Sequence, residues 1–281
     1  MEVYKVELSN GLIFSKSGNG YLSLRIKDNY YNKKNEIESL ISKNNIRSAV
    51  IEGVIDCNIF DELYNIKVLY FSNNNNFECL KFYNLKKIKK IQLDFSYKMA
   101  IDFSHFKELE EIDIVWNNNL VFKGAENLKY LILRKYDKET FELELPIDIE
   151  YIQLIQGKLK SVQGIEKYQS LKALVLYSQP KIEDYAAIGE INNLEFLHIH
   201  GGQLKDITPF TKLKKLKWLV LENCKHIETL KPLMQLENLI GVQLVGATKP
   251  LDGDKSIRDI KNKYEYNYPY KTVGQRLYKE I

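Results

Sequence analysis

Cysteine is scarce in this 281-residue sequence, and Cys57, Cys79 and Cys224 do not have the spacing of a metal site. Their odd number also argues against a complete disulfide framework. Long apolar runs are missing too, since nowhere do about 18 apolar residues follow one another, as a membrane-spanning helix requires. The first residues, Met1 to Leu8, alternate charged and apolar side chains and lack the apolar stretch of a secretory signal. We therefore expect a reducing, cytoplasmic compartment.

Proline and glycine are few, at 6 and 14 residues, whereas aromatic residues make up 12%. This composition argues against a disordered chain and predicts a folded one. The formal net charge is only +4, and the segment from Lys255 to Ile281 alone holds seven Lys or Arg against three Asp or Glu. The rest of the chain is therefore close to neutral. The abundance of Asn, Lys, Ile and Tyr is typical of an AT-rich bacterial genome.

One pattern recurs along the chain: apolar-x-x-apolar-x-apolar, where x is any residue. It occurs ten times, at intervals of 19 to 23 residues. The ten occurrences begin at Ile46, Ile66, Ile88, Leu109, Leu128, Ile149, Leu171, Leu194, Leu216 and Leu239. Spacing as narrow as this indicates a repeat protein, in which each repeat is one supersecondary unit.

Side-chain direction explains the pattern. In the motif that begins at Leu128, the side chains of Leu131 and Leu133 point to one face of a short strand, and those of Tyr130 and Ile132 point to the other. One such strand cannot bury its apolar face alone, so successive coils must stack and join their strands in a parallel sheet. The sequence therefore predicts an α/β solenoid with one continuous apolar core.

The later repeats resemble the leucine-rich-repeat family, in the bacterial class with 22-residue repeats to which internalins belong. The resemblance is clearest at Leu216, Leu219, Leu221, Cys224, Ile227, Leu230, Pro232, Leu233, Leu236 and Leu239, and in the parallel stretch Leu194, Leu197, Ile199, Leu204, Ile207, Pro209, Phe210, Leu213 and Leu216. It implies a right-handed superhelix with a parallel sheet on the concave side, over residues 46–250.

The ninth position of each repeat matches the family only in part. In the family, Asn or Cys at this position satisfies backbone groups between coils. Asn74, Asn117 and Cys224 fit that pattern. The pattern is not met at Ser96, Tyr136, Gly157, Gln179 and Gly202. The resemblance makes Cys224 an inward, unreactive residue.

Terminal segments should cover the outermost coils, which would otherwise expose core and a sheet edge. Residues 1–45 predict a cap made of a β-hairpin and a helix. Its strands are expected at Glu2–Leu8 and Leu12–Ser15, around the turn signal Asn10-Gly11, with a third at Tyr21–Lys27 and a helix at Asn35–Lys43. Residues 251–281 predict a C-terminal helical cap with a basic tail, with helices at Ser256–Tyr264 and Thr272–Ile281.

The solvent-facing side of the predicted sheet carries apolar residues that the core does not require. Tyr130, Tyr151, Phe196 and Trp218 fall in one row, and Ile132 and Tyr177 lie on the same face. Large apolar side chains on a surface mark an interface, because Tyr, Trp and Phe are enriched at interface centres. Alternatively, these rings pack laterally on one another or are covered by the terminal segment.

Three polar residues share this face. His198 and His200 are two apart on one strand, and Glu222 occupies the position beside His200 on the next. Two imidazoles and a carboxylate could hold zinc or supply a general base. The alternative is that they are polar contacts on a binding face, since no further ligand pattern accompanies them.

The C-terminal tail interleaves Tyr264, Tyr266, Tyr268, Tyr270 and Tyr278 with basic residues. Aromatic rings among cations can bind nucleic acid through stacking and phosphate contacts. A cap whose rings cover the last coil explains the same pattern. The overall pI near 8.6 is modest for a nucleic-acid binder and favours the cap.

Together these observations predict a non-catalytic module that binds a protein partner on its concave face. The predicted partner-binding residues are Tyr130, Tyr151, Phe196, Trp218, Ile132, Tyr177, His198, His200 and Glu222. We predict no enzyme activity, cofactor, metal, membrane contact or small-molecule substrate. A cytoplasmic binder of this kind could act as an inhibitor or immunity protein. The alternatives are a metal-binding or hydrolytic protein that uses His198, His200 and Glu222, and a nucleic-acid binder that uses the tail.

Overall fold

The structure is a computed structural model that describes residues 5–7, 13–16, 22–27, 34–53, 58–72, 80–94, 96 and 99–266. The chain divides into two units. The first consists of Met1–Leu128 with Glu144–Pro146, and the second of Lys129–Leu143 with Ile147–Ile281.

The first unit contains a sheet with seven described strands in the order β1-β2-β3-β4-β5-β6-β8. Its strands are β1 (Lys5–Glu7), β2 (Ile13–Lys16), β3 (Leu22–Ile26), β4 (Ser48–Glu52), β5 (Val68–Ser72), β6 (Lys90–Leu93) and β8 (Glu111–Val115). A separate parallel pair is formed by β7 (Ile101–Asp102) and β9 (Leu120–Val121). Helices α1 (Lys34–Asn44) and α2 (Ile59–Glu62) and two 3₁₀ turns (Leu80–Asn84 and Phe103–His105) complete its described elements.

The second unit repeats one simple coil: a five-residue strand, a loop, and in most coils a short 3₁₀ turn. Its strands pair in chain order and run parallel throughout. They are β10 (Tyr130–Arg134), β11 (Tyr151–Ile155), β12 (Ala173–Tyr177), β13 (Phe196–His200), β14 (Trp218–Glu222), β15 (Gly241–Val245) and β16 (Glu265–Tyr266). The 3₁₀ turns are Ile165–Lys167, Ala186–Glu190, Thr208–Lys212 and Lys231–Gln235, and helix α3 (Asp254–Lys263) follows β15.

The predicted repeat register is confirmed. Each of the ten motifs has a strand that begins two residues after the motif does, from Ser48 after Ile46 to Gly241 after Leu239. Neighbouring strands pair at equivalent positions, as in Leu131 with Ile152. The motif's fourth and sixth residues therefore point inward.

The core lies between the strands and the turns. Leu219 and Leu221 of β14 are buried, and so is Leu233 of the 3₁₀ turn Lys231–Gln235. Each fully buried side chain of this size contributes about 1.5–3 kcal/mol. A repeat of about 22 residues leaves little length for an α-helix, so a tighter 3₁₀ turn returns the chain to the next strand.

The N-terminal elements agree with the pattern predicted for residues 1–45. Strands β1 and β2 are antiparallel, and β3 pairs antiparallel with β2 and parallel with β4. The turn signal Asn10-Gly11 lies outside the described residues. Helix α1 buries Ile37 and Ile41, which lie four residues apart on one face. The capping role of these elements stays a prediction.

The C-terminal helix α3 begins two residues before its predicted start and buries Ile260. The hydroxyl of Tyr264 donates to the carbonyl oxygens of Leu233 and Leu236 at 2.6 and 3.0 Å. Lys263 donates to the carbonyl oxygen of Met234 at 2.6 Å. The helix predicted at Thr272–Ile281 and most of the tyrosine-rich tail lie outside the described residues. In the part of the chain that the structure describes, no helix has both the length and the apolarity to span a bilayer.

Two departures at the ninth repeat position, Gly157 and Gly202, have a steric explanation. A Cβ on Gly157 would lie 2.5 Å from Oε1 of Gln179, which accepts a hydrogen bond from the Gly157 amide. A Cβ on Gly202 would lie 2.0 Å from the hydroxyl oxygen of Tyr185. Glycine in one coil thus leaves room for a large polar side chain of another, so these coils pack without the family's asparagine.

Candidate functional site

The outer face of the second unit's sheet is the side turned away from the core. Because β10 to β15 pair in register, their third motif positions form one row across the sheet. This row contains Tyr130, Tyr151, Ala173, Phe196, Trp218 and Gly241. Ile132, Tyr177, His198, His200 and Glu222 also lie at outer positions. The structure therefore brings all nine predicted site residues to one face.

An apolar cluster occupies the middle of this face. Ala173, Val175, Phe196 and Val220 are buried against one another, although none belongs to the interior core. Tyr151, Tyr177, Trp218 and Val245 are partly buried and pack against these four. We call these eight residues the outer-face cluster; the four buried residues are its floor and the four others its rim.

The predicted site residues differ in burial, since some are buried in the face and others remain partly exposed. Phe196 is only 2% exposed, so it supports its neighbours and has little surface for a partner. Tyr151, Tyr177 and Trp218 keep part of their rings accessible. The lateral packing considered from the sequence is present here, and it leaves an aromatic rim above an apolar floor.

Two small residues in the row make room for the neighbouring rings. The Trp218 ring lies over Gly241, where an added Cβ would lie 2.1 Å from Cζ3 and 2.5 Å from Cε3 of the indole. Ala173 is buried between Tyr151 and Phe196, its register partners on the adjacent strands. The positions of the rim rings thus depend on the small size of Ala173 and Gly241, whose side chains make no polar contact.

Replacing Gly241 with alanine should displace the Trp218 ring without removing it. Overpacking of this kind costs about 1–3 kcal/mol. In a Trp116→Phe background, Trp218 is the only tryptophan. We expect its fluorescence emission to shift to longer wavelength as the indole becomes more exposed.

A double variant provides the control for this experiment. Gly241→Ala combined with Trp218→Phe lacks the indole atoms that collide, so its loss of stability should be smaller than the sum of the two single losses. Strict additivity, or an unchanged emission maximum in Gly241→Ala, would contradict the packing of Trp218 on Gly241.

The polar residues of the face form a hydrogen-bonded group beside the cluster. His198 Nε2 donates to Glu222 Oε2 at 3.1 Å, whereas His200 Nε2 lies 3.9 Å from Glu222 Oε1. The backbone N–H of Ser178 donates to His200 Nδ1 at 3.1 Å. The ring of His200 stacks on Tyr177, with centroids 4.3 Å apart and planes 13° apart.

These contacts define what the histidines can do. His198 is buried and its Nε2 is engaged by the carboxylate, while His200 Nδ1 is engaged by a backbone amide. Across the described ranges, no three or more His, Cys, Asp or Glu side chains are grouped so that they could hold a metal ion. The arrangement is suited to fixing Tyr177 and Glu222 in place, since both contact the histidines directly.

The pKa of His198 is lowered from its usual value of 6.5. Burial is the largest cause, because it penalises the charged imidazolium; the nearby His200 acts in the same direction, and Glu222 opposes both. His198 is therefore neutral around pH 7, in the middle of a largely apolar face.

Stability should consequently depend on pH through His198. In the unfolded chain this histidine titrates near 6.5, and in the folded chain at a lower pH. Between these two values the unfolded state binds more protons, so the free energy of unfolding falls as pH decreases below 6.5 and is fully retained above it. Urea unfolding between pH 7.5 and pH 5 measures this, and His198→Gln should flatten the decline.

His226→Gln is the matched control, because His226 is exposed in the same unit and lies outside the strands of this face. It should keep the wild-type decline. If His198→Gln has the same profile as the wild type, the neutral state of His198 makes no contribution to stability.

Cys224 lies inward, as the resemblance implied. It is fully buried, and burial raises the pKa of its thiol to about 12. Its backbone N–H donates to Thr248 Oγ1 at 3.0 Å, and Thr248 Oγ1 donates to the carbonyl oxygen of Leu221 at 3.0 Å. A buried thiol with a raised pKa stays protonated and is a poor nucleophile.

Some residues that shape the site were missed by the sequence reasoning. Ser178 holds His200, and Gln153 Oε1 accepts a hydrogen bond from the Tyr151 hydroxyl at 2.9 Å. Ser178 directly follows strand β12 and has a positive φ of 53°. The residue after each strand is a position that the repeat register could have identified.

The comparisons with known proteins concern the fold of this chain. No protein-family model matches the sequence, and no curated protein matches it. Among solved structures, an internalin from Listeria monocytogenes is similar with a TM-score of 0.57 and 16% identity, over 83% of this chain and 72% of that one. A TLR13–ssRNA13 complex is similar with a TM-score of 0.58 and 18% identity, over 79% of this chain and 35% of that one.

At such low identity these likenesses concern the fold. They agree with the strand register and the parallel pairing described above. The leucine-rich-repeat solenoid fold that the ten motifs predict is confirmed, as is the resemblance to internalins and other leucine-rich-repeat proteins.

Proposed function

We propose that this chain is a non-catalytic binding module that takes a protein partner on the outer face of the second unit's sheet, the concave face of the predicted solenoid. The observation that carries the proposal is the outer-face cluster, in which Tyr151, Tyr177 and Trp218 stand partly exposed around the buried Phe196. Binding energy concentrates at such sites, where rigid aromatic anchors sit on a packed, water-excluding base.

Pre-organisation strengthens the argument. The rim rings are already held by packing and by hydrogen bonds, such as that from Tyr151 to Gln153 at 2.9 Å. Binding then requires little further ordering of side chains, each of which would otherwise cost about 0.5–1.5 kcal/mol. The likeness to an internalin and to a TLR13–ssRNA13 complex supports a recognition role for the fold and does not indicate which ligand is bound.

An inhibitor or immunity role inside the cell belongs to the same proposal. A binder whose His198, His200 and Cys224 make internal contacts acts by occupying a partner's surface. The hydrolytic alternative gains no support from the histidine geometry. The nucleic-acid alternative rests on the tail, most of which lies outside the described residues.

Site-specific cross-linking in the native cell tests the proposal. A photoreactive phenylalanine analogue replaces Ile155, which lies on the outer face beside Tyr177 in register, or in a matched variant Gln235, which is exposed on a 3₁₀ turn. We expect one protein to cross-link at position 155 and not at position 235. Cross-linking only at position 235, or equally at both, would contradict binding on the outer face.

A further inference from the structure

Formal charge is sparse on the outer face of the second unit. Among the third, fifth and seventh motif positions of β10 to β15, only Arg134 and Glu222 are Arg, Lys, Asp or Glu. Arg134 stands on β10, at one end of the row, away from the floor residues on β12 to β14. The outer strand positions that form the cluster are therefore nearly uncharged.

The one carboxylate next to the cluster is already engaged. Glu222 accepts a hydrogen bond from the buried His198 at 3.1 Å. A partner's Lys or Arg that reached Glu222 would compete with this internal bond. Glu222 thus serves the internal structure of the face more than it attracts a cationic partner.

The first unit offers an instructive contrast. Its outer positions carry ion pairs, namely Arg25 with Glu52 at 3.1 Å and Lys90 with Glu111. Asp113 lies on the same face and is buried. The low charge of the second unit's face is therefore a property of that face and not of the composition of the whole chain.

Low charge constrains the chemistry of the ligand. A charged group that a partner buries on these positions loses its hydration, and the one carboxylate beside the cluster, Glu222, is already hydrogen-bonded to His198, so burying such a group is unfavourable. A nucleic acid gains most of its affinity from Lys and Arg that neutralise its phosphates, and β10 to β15 have no lysine at these outer positions. Apolar side chains, in contrast, gain affinity from the aromatic rim without any such cost.

We propose that the partner places an uncharged, apolar segment, rich in aliphatic and aromatic side chains, on the outer-face cluster. This inference rests on the proposed function and deepens it by stating what the partner brings to the site. Charged groups of the partner lie outside the cluster. Affinity at this face is therefore set by apolar contact and depends weakly on salt.

Selection from a random peptide library tests the inference. Phage-displayed 12-residue peptides are selected on the immobilised full chain, and enriched sequences are retested on Trp218→Ala. We expect peptides with several Leu, Phe, Trp or Ile and no net charge, whose affinity falls at least tenfold on Trp218→Ala. Their affinity should change less than twofold between 50 and 500 mM NaCl. Leu251→Ala, which removes an exposed apolar side chain elsewhere in the second unit, is the matched control and should keep full binding.

The outcomes separate this inference from the proposed function. Charged peptides that depend on Trp218 and lose affinity steeply with salt would overturn the inference but leave binding at the outer face standing. Displacement of the selected peptides by single-stranded RNA of random sequence would also overturn it, as would a selection with no Trp218-dependent peptide. The proposed function fails separately, by the absence of cross-linking at position 155.

Discussion

Trp218→Ala is expected to weaken binding of the protein partner by about thirtyfold, which corresponds to roughly 2 kcal/mol, the usual threshold for an interface hot spot. The indole lies over Gly241 and packs against the buried floor of the outer-face cluster. Truncation removes the largest rim side chain and lets water reach Phe196 and Val220. Isothermal titration of the partner identified by cross-linking measures the loss.

The free energy of unfolding should change about half as much as the free energy of binding. Trp218 is partly exposed and belongs to the outer face, so its removal leaves Leu219 and Leu221 of the same strand in the core. We expect the unfolding free energy to fall by about 1 kcal/mol, which is typical of a single substitution. A variant that unfolds but retains binding per folded molecule would make Trp218 a packing residue.

Leu251→Ala serves as the control for both measurements. Leu251 is 70% exposed and follows the last full strand, so its truncation removes a similar kind of surface away from the cluster. Partner affinity and unfolding free energy should both stay within error of the wild type. Comparable losses in the two variants would indicate a non-specific effect of surface hydrophobicity.

The strands could be predicted from the sequence because their physics is local. A strand's side chains alternate with a period of two, so the motif beginning at Leu194 fixes Leu197 and Ile199 inside and Phe196 and His198 outside. A repeat of nearly constant length then sets which residues lie side by side. The predicted pairing of His200 with Glu222 is found in the register for this reason.

Burial on the outer face could not be predicted in the same way. It depends on how side chains lean across strands, as Trp218 does over Gly241, and on which rotamers neighbouring rings allow. Glu222 illustrates the point. It lies opposite His200 in register, yet its carboxylate accepts a hydrogen bond from His198 at 3.1 Å, whereas His200 Nε2 lies 3.9 Å from it. Diagonal contacts of this kind are set by side-chain conformation, about which a repeat pattern says nothing.

Gly164→Ala is expected to cost at least about 3 kcal/mol of unfolding free energy, the largest loss among the substitutions considered. Gly164 has a φ of +99°, a conformation that costs other residues about 1–3 kcal/mol. A Cβ there would also lie 2.4 Å from the carbonyl oxygen of Phe141, and backbone cannot yield as a side chain can. Urea unfolding followed by circular dichroism measures the loss.

Gly201→Ala separates the conformational cost from the cost of the steric clash. Gly201 has a φ of +78° and nothing within 4 Å of an added Cβ, so only the conformational cost of about 1 kcal/mol should appear. Equal losses in the two variants would show that the close approach to Phe141 is unimportant.

Gly164 lies between β11 and β12, which carry Tyr151 and Ala173. A clash that spreads these coils should therefore reduce stability and partner binding together, whereas Trp218→Ala reduces binding more than stability.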